Sequence, residues 1–421
     1  MTETFQTIEK MAKECRDASL SMAELSTGQK NEALAAMADQ LMADENEILG
    51  ANALDITSGQ KKGLDKAMLD RLALDHNRLE KMAEAVKEIA ALPDPVGEIS
   101  EMVTRPSGIR VGKMRIPLGV IAMIYEARPN VTSDAAALCL KAGNSVILRG
   151  GSEAFHSNQA IAESLREALS LKGLPAAAVS LLPTNDRKAI ADLLTMDRYI
   201  DLVIPRGGEG LIRYVAETSR IPVIMHYKGV CHMFVDESAD AEMARKILID
   251  GKTSRPGVCN SLETLLIHEK ASDRILPILG KALADWNVEI RGCPRTCAGF
   301  PGAVPAEESD WGTEYLSLII SVKIVSGIDD AIAHIRKYGS NHTEVIVTND
   351  LVNASRFIQA VNSSVVMVNA SSRFSDGGEF GLGAEIGIST SKLHAYGPMG
   401  IKSLTTQKFI VIGQGETRQP V

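Results

Sequence analysis

From Val120 onward the chain alternates short apolar runs with helical stretches, and no other feature of the sequence restricts the fold as much. The first series of runs is Val120–Ile124, Ser145–Leu148, Val179–Leu182, Ile200–Ile204 and Pro222–Met225. Helical patterns separate them near Thr132–Lys141, Ala154–Leu171, Arg187–Leu194 and Glu209–Thr218. Strands joined through helices pack as a parallel sheet with helices on both faces, and such sheets bind dinucleotides outside the carboxyl ends of their strands. A second series follows Val230: Met233–Val235, Ala241–Ile249, Leu262–His268, Ser272–Leu283, Leu316–Lys323, Asp329–Lys337, Glu344–Val347, Leu351–Gln359 and Val365–Val368. The expectation is an α/β protein of two domains divided near Lys228-Gly229, with its site in a cleft between them.

The stretch before Val120 is different. Its first hundred residues are helical in pattern, with Leu34, Met37, Leu41 and Met42 on one face and Leu79, Met82, Val86 and Ile89 on another, a spacing that reads as core. Pro93-Asp94-Pro95-Val96-Gly97 ends the helical run, and Ile109–Gly112 with Met114–Ile116 reads as a two-stranded ribbon.

Composition excludes several classes of function. A length of 421 residues suits about two domains, and the formal net charge of -8 leaves no basic footprint for nucleic acid, so an anionic substrate must be drawn by local cations. Met1–Asp17 is too charged for a signal peptide, and no apolar run reaches the roughly 18 residues of a membrane helix, so the expected location is the cytoplasm, with no membrane partner. The six cysteines are scattered, as reduced thiols are. Cys293 and Cys297 are close, but no second Cys/His pair follows at metal-binding spacing, and no metal is expected.

Four turns carry candidate chemistry. Cys259 follows Arg255-Pro256-Gly257 and precedes the apolar run Leu262–His268, so a sheet could hold its thiol rigidly at a loop, with Arg255 favouring the thiolate. The alternative is a buried structural cysteine. Arg149-Gly150-Gly151-Ser152-Glu153 ends a strand and opens a helix, where a helix N-terminus favours an anion, although G-x-G-x-x-G is absent and a plain left-handed turn is the alternative. Gly207 and Gly208 repeat the arrangement one unit later and suit a pyrophosphate. In Glu126-Ala127-Arg128-Pro129-Asn130, Asn130 is well placed as a helix N-cap. Glu314, taken alone, reads as a solvated loop charge.

With these residues in place the chain resembles the aldehyde dehydrogenase superfamily and, within it, the gamma-glutamyl phosphate reductases. Arg255–His268, Gly143–Glu153, Lys337–Glu344 and Val368–Ser389 carry the resemblance, and order and spacing agree over nearly the full length. It implies a Rossmann-type cofactor domain over 1–229, a catalytic domain over 230–400, and an oligomerisation ribbon in which a hairpin over 103–118 pairs with a neighbouring subunit's late strand, for which Ser403–Gly413 within 401–421 is the candidate. The implied nucleophile is Cys259, with the Asn130 amide and the Cys259 backbone N–H as the oxyanion hole. Arg149, Ser152 and Glu153 would meet the adenosine ribose, with Arg149 favouring NADPH, and Glu314 the nicotinamide ribose. Arg128, Arg255 and Arg373 are the cationic candidates for phosphate or carboxylate.

The implied reaction reduces L-glutamyl 5-phosphate to L-glutamate 5-semialdehyde, in a homo-oligomer functionally coupled to a glutamate kinase. Two departures bear on it. His226 stands where oxidising members of the superfamily carry the glutamate that activates water, which favours reduction, although a neutral imidazole remains an alternative base. Tyr396 stands where the branch usually has arginine. NAD(P)-dependent oxidation of an aldehyde on the same fold, and a non-catalytic scaffold, are the competing readings.

Overall fold

Caps and apolar stripes build the helical part of the first unit. The computed structural model describes residues 3–418, beginning with α1 (Glu3–Ala23), α2 (Thr27–Ala43), α3 (Glu45–Lys61), α4 (Lys66–Leu72) and α5 (His76–Ala91). Ser26 and Gln29 form a reciprocal capping box at the start of α2, and Asp75 accepts from Arg78 N at the start of α5. Leu34, Met37, Leu41, Leu79, Met82, Val86 and Ile89 are all buried, whereas Met42 is only half-buried. Lys30 is also buried, its ammonium 3.0 Å from Asp94, so the Pro-Asp-Pro segment that ends the helical run is tied back to α2 by charge.

Next come β1 (Ile99–Thr104), β2 (Arg110–Pro117), β3 (Val120–Tyr125), α6 (Asn130–Lys141), β4 (Ser145–Arg149), α7 (Phe155–Leu171), β5 (Val179–Leu181), α8 (Arg187–Leu193), β6 (Leu202–Arg206) and α9 (Glu209–Thr218). The sheet order is β5-β4-β3-β6, with parallel ladders throughout. The chain leaves β3 for β4 and β5, then returns past β3 to β6. Strand order therefore reverses between β3 and β6, the place where such sheets open a ligand crevice. The expected strand Pro222–Met225 is reduced to one bridge, Val203 to Val223. Pro222 has no N–H to give a ladder, and residues 224–230 form no strand.

The second unit is a seven-stranded parallel sheet in the order β10-β9-β11-β8-β7-β12-β13. Its elements are β7 (Cys231–Val235), α10 (Ala241–Thr253), β8 (Leu262–His268), α11 (Glu269–Asp285), β9 (Glu289–Gly292), α12 (Pro294–Gly299), β10 (Val304–Pro305), β11 (Ile319–Val325), α13 (Ile328–Tyr338), β12 (Thr343–Val347), α14 (Leu351–Ala360) and β13 (Val365–Val368). All seven residues of β8 are buried, as expected of a strand covered on both faces. Two short strands, β14 (Gly387–Ser389) and β15 (Gly397–Met399), pair with each other.

The units are Met1–Met225 with Leu382–Gly387 and Met399–Val421, and His226–Gly381 with Ile388–Pro398. The division thus falls just before the Lys228-Gly229 expected from sequence, and residues 382–387 and 399–400 join the first unit. The ribbon also has a partner within its own chain. The late strand β16 (Thr405–Ile412) pairs antiparallel with β2 of its own chain, giving the sheet β1-β2-β16. The hairpin is formed by β1 and an unbroken β2 around the turn at Gly108 (φ +94°). Lys113, where the sequence pattern breaks, stays in the ladder opposite Ser100 and Phe409, with its ammonium 2.8 Å from Glu101 and 5.9 Å from the centre of the Phe409 ring. Among the described residues no helix is long and apolar enough to cross a membrane.

Candidate active site

Within the second unit, Cys259 lies in the turn between α10 and β8, half-buried. Cys15, Cys139 and Cys231 are sealed in the interior, where burial pushes each thiol far up, to about 12 for Cys15. They are packing residues; Cys259 is not. Its turn is held from several directions. Cys231 donates its S–H to the Cys259 carbonyl at 3.2 Å, and Asn260 donates its amide to the Ser375 carbonyl at 3.0 Å while accepting Ser372 Oγ–H on its own carbonyl at 2.7 Å. Arg373 reaches the same turn, with Nη1 on Asn260 Oδ1 and Nε 3.2 Å from Ser254 Oγ. The first part of the glycine-rich stretch Val368–Ser389 is therefore an ordered clasp on the nucleophile turn. Arg255 is exposed in that turn.

Gly229 explains the turn's position. A Cβ there would stand 1.9 Å from the Cys259 carbonyl oxygen, so only glycine lets the two backbones approach this closely. Its N–H donates to Glu314 Oε1 at 2.8 Å. Glu314 is thus half-buried and committed to a backbone partner, where sequence alone had left it a solvated charge. Two residues on, Leu316 N donates to Glu263 Oε1 at 3.2 Å, and Glu263 Oε2 is 2.6 Å from Lys252 Nζ, both side chains fully buried. The buried Lys252–Glu263 pair and Glu314 therefore anchor the loop that holds Gly229 against the nucleophile. Gly229→Ala is expected to cost about 1–3 kcal/mol by overpacking and to change the rate at which iodoacetamide alkylates Cys259. Denaturant melts and alkylation followed by mass spectrometry would check both, and an unchanged alkylation rate would contradict the contact's importance.

His226 does not stand alone: its ring centre is 5.9 Å from that of His342, whose buried imidazole is pushed down to about 3 and stays neutral. Tyr396 donates its hydroxyl to the Asn362 carbonyl.

In the first unit the turn Glu126–Asn130 leads from β3 into α6. Asn130 is not the N-cap. Pro129 takes that position without a side-chain cap bond, and Asn130 is the first helical residue, its amide Nδ2 donating to Asp134 Oδ2 at 2.9 Å. Proline is well suited near a helix start because its fixed φ is already helical, so it displaces asparagine by one position. Arg128 is exposed in the same turn. At the end of β4, Arg149 is 9% exposed and donates to the Asn185 carbonyl at 3.1 Å. Gly150 allows Asn158 close, since a Cβ there would meet Asn158 Nδ2 at 2.0 Å, and Gly151 similarly lies against Ala127 N. Ser152 Oγ donates to Glu153 Oε1 at 3.2 Å.

The two helix starts expected to receive anions differ. The first turn of α7 is met by Asp55, a carboxylate from α3 that accepts His156 N at 3.2 Å, Ser157 N at 2.7 Å and Ser157 Oγ at 2.6 Å. That N-terminus has its anion already, from a residue the sequence reading passed over. At α9 no side chain of the N-cap residue Gly208 exists to cap the helix, and Gly208 N donates to Glu126 Oε1 at 3.0 Å. A carboxylate thus holds this N-terminus as well, at the strand-order reversal beside β3 and β6, but through one bond from an exposed side chain, so a phosphate oxygen can take its place once Glu126 turns away. The residues present fit a dinucleotide there. Among the described residues no group of His, Cys, Asp and Glu is arranged to hold a metal.

Lys252, Glu263, Asp134 and Asp55 escaped sequence reasoning. Glu263 left a signal: a charge inside a largely apolar strand implies an opposite charge folded onto it. Asp134, one turn beyond Asn130, is visible only once the helix start is known.

Comparison with known proteins follows the same lines. The model of the aldehyde dehydrogenase family matches residues 2–298. A gamma-glutamyl phosphate reductase of Salinibacter ruber is 59% identical over 414 residues, covering 98% of this chain and 95% of the relative. One from Geotalea daltonii is 58% identical over 98% of this chain and 99% of its own. The crystal structure of gamma-glutamyl phosphate reductase from Thermotoga maritima superposes with a TM-score of 0.97 at 44% identity, covering 98% of this chain and all of that one.

Proposed function

The chain belongs to the aldehyde dehydrogenase family, among the gamma-glutamyl phosphate reductases, and on that premise we propose that it reduces L-glutamyl 5-phosphate to L-glutamate 5-semialdehyde with Cys259 as nucleophile. The observation that carries the assignment of Cys259 is its half-buried thiol on a turn clamped by Gly229, Asn260 and Arg373, whereas Cys15, Cys139 and Cys231 are sealed and the other half-buried thiols, Cys293 and Cys297, are bonded within the start of α12 to Thr296 Oγ1 and the Gly292 carbonyl.

The thiolate attacks the acyl carbon, the C–O bond to phosphate breaks, and phosphate leaves with the electron pair. Asn130 and the Cys259 N–H stabilise the oxyanion, a contribution typically worth 10²–10³ in rate per donor. A nicotinamide dinucleotide supplies hydride when bound. Cys259 then leaves as thiolate and the aldehyde departs. Arg255 and Arg128, exposed in the two turns, supply positive charge for the phosphate or carboxylate, while Arg373 positions the nucleophile turn. Because His226 replaces a water-activating carboxylate, hydrolysis of the thioacyl group is left without that helper, which supports reduction over oxidation. Oxidation to an acid is also disfavoured by relatives that are reductases at 58–59% identity.

The cofactor is NADPH rather than NADH, a choice that rests on Arg149 at the end of β4, with Gly150, Gly151, Ser152, Glu153, Gly207, Gly208 and Glu314 as its other neighbours. Of these residues all but Glu314 lie in the first unit, and the nucleophile lies in the second. Exposed Val103, Phe409 and Val411 on the ribbon support a homo-oligomer. We place the enzyme in the cytoplasm, downstream of a glutamate kinase. The test runs the reaction backward. L-glutamate 5-semialdehyde and NADP⁺ are expected to form NADPH only when inorganic phosphate is added, and turnover without phosphate would favour the oxidising alternative.

A further inference from the structure

Asn130 offers an amide whose two ends have opposite chemistry. Nδ2–H stabilises an oxyanion, whereas Oδ1 repels one, and a half-turn of the amide plane exchanges them. Nothing in an exposed asparagine's own structure chooses between the two. At the start of α6 the choice is made by a neighbour one turn on. Asp134 Oδ2 lies 2.9 Å from Asn130 Nδ2, the i,i+4 position that faces it on a helix. An ionised carboxylate only accepts hydrogen bonds, so it binds the nitrogen and rejects the oxygen. One N–H goes to Asp134, and the second is left directed away from it.

We propose that Asp134 is a positioning residue that fixes which way the Asn130 amide faces and so keeps an N–H, rather than Oδ1, available as the oxyanion donor. The inference rests on Asn130 acting as oxyanion donor and deepens that reading. Three further observations agree with it. Burial pushes the Asp134 carboxyl up to about 6, with the Asn130 bond and Arg206 acting in the opposite direction, so its ionised form at neutral pH is held against a desolvation cost. Arg206, the cation acting on Asp134, is itself 3.8 Å from Glu385, which leaves Asp134 to the amide. Ser133 Oγ donates to the Asn130 carbonyl at 2.9 Å, fixing the backbone from which the amide projects.

A double-mutant cycle on kcat tests this. Asp134→Ala is expected to lower kcat by about tenfold with little change in KM, below the 10²–10³ for losing the donor outright. In the Asn130→Ala background the same change should have almost no effect. Asp134→Asn retains an acceptor but allows either pairing of two amides, so its loss should be no more than a few-fold while thermal unfolding stays at or above that of the parent. Equal losses in both backgrounds would show a merely structural role and overturn the proposal, as would an Asp134→Ala enzyme with unchanged kcat. If Asn130→Ala itself turns over normally, the oxyanion assignment falls and the inference with it. An impaired Asn130→Ala beside an unaffected Asp134→Ala sinks the inference alone. Should Asp134→Ala fail to fold, a kcat of Asp134→Asn that falls equally with and without Asn130 gives the same refutation.

Discussion

Cys259→Ala is expected to abolish turnover, with kcat falling on the order of 10⁴- to 10⁶-fold, the range seen when a covalent nucleophile is removed. Stability should hardly change. The side chain is half-buried, and the turn around it is held by the close approach of Gly229 to the Cys259 carbonyl and by the bonds of Asn260 to Ser372, Ser375 and Arg373. Loss of activity with an unaltered urea midpoint is thus the signature of a nucleophile. Cys231→Ala should show the converse, because that thiol is sealed in the core and supports the Cys259 carbonyl. Trapping with the acyl phosphate provides a direct readout: intact protein should gain the mass of the glutamyl group, and the Cys259→Ala protein should not. A Cys259→Ala enzyme that still formed semialdehyde would rule out the thioacyl route.

Lys252→Met carries the second large effect, this time on folding. Lys252 and Glu263 are fully buried 2.6 Å apart, and removing one partner of such a pair typically costs about 3–5 kcal/mol because the other charge is stranded. Burial raises the Glu263 carboxyl and lowers the Lys252 ammonium, each drawn back by the other. A carboxyl whose folded pKa lies above its unfolded value contributes stability that is fully present at low pH and lost as pH rises through the folded pKa. Without Lys252 the Glu263 pKa rises further, so the variant should be more strongly destabilised at pH 8 than at pH 6. The double variant Lys252→Met with Glu263→Leu should recover most of the loss, since no charge is then buried. Urea melts at both pH values would decide. A single variant as destabilised as the double, or one insensitive to pH, would show that the pair's charge is not what matters. Activity of the double variant should stay depressed even where it folds, because Glu263 also accepts Leu316 N and thereby holds the loop carrying Glu314.

Much of the architecture was legible because it is written in local chemistry. Val120–Tyr125 is apolar without interruption and Leu265–Ile267 is the apolar heart of a strand buried along its whole length, and a covered parallel sheet accommodates such runs. β9 escaped for the opposite reason. Glu289-Ile290-Arg291-Gly292 has no strand pattern of its own and becomes a strand because Ile319–Val322 of β11 supplies its ladder. Pro222–Met225 failed in reverse: apolar enough for a strand, it has a proline where the ladder needs a donor.

The turn at Cys259, the glycine pairs at the strand ends and the missing carboxylate at His226 depend on residue type and order, and the amino-acid chain alone specifies them. Tertiary structure decided which of those features have partners. It paired β16 with its own hairpin, gave the start of α7 to Asp55, moved Asn130 from cap to first helical residue beside Asp134, and set Gly229 against Cys259. The physical reason is range. Hydrophobic period and turn propensity act over a few residues, whereas the Asp55–Ser157 bonds, the β2–β16 ladder and the Gly229–Cys259 approach join groups far apart in the chain, and only the folded backbone brings their directional atoms within reach.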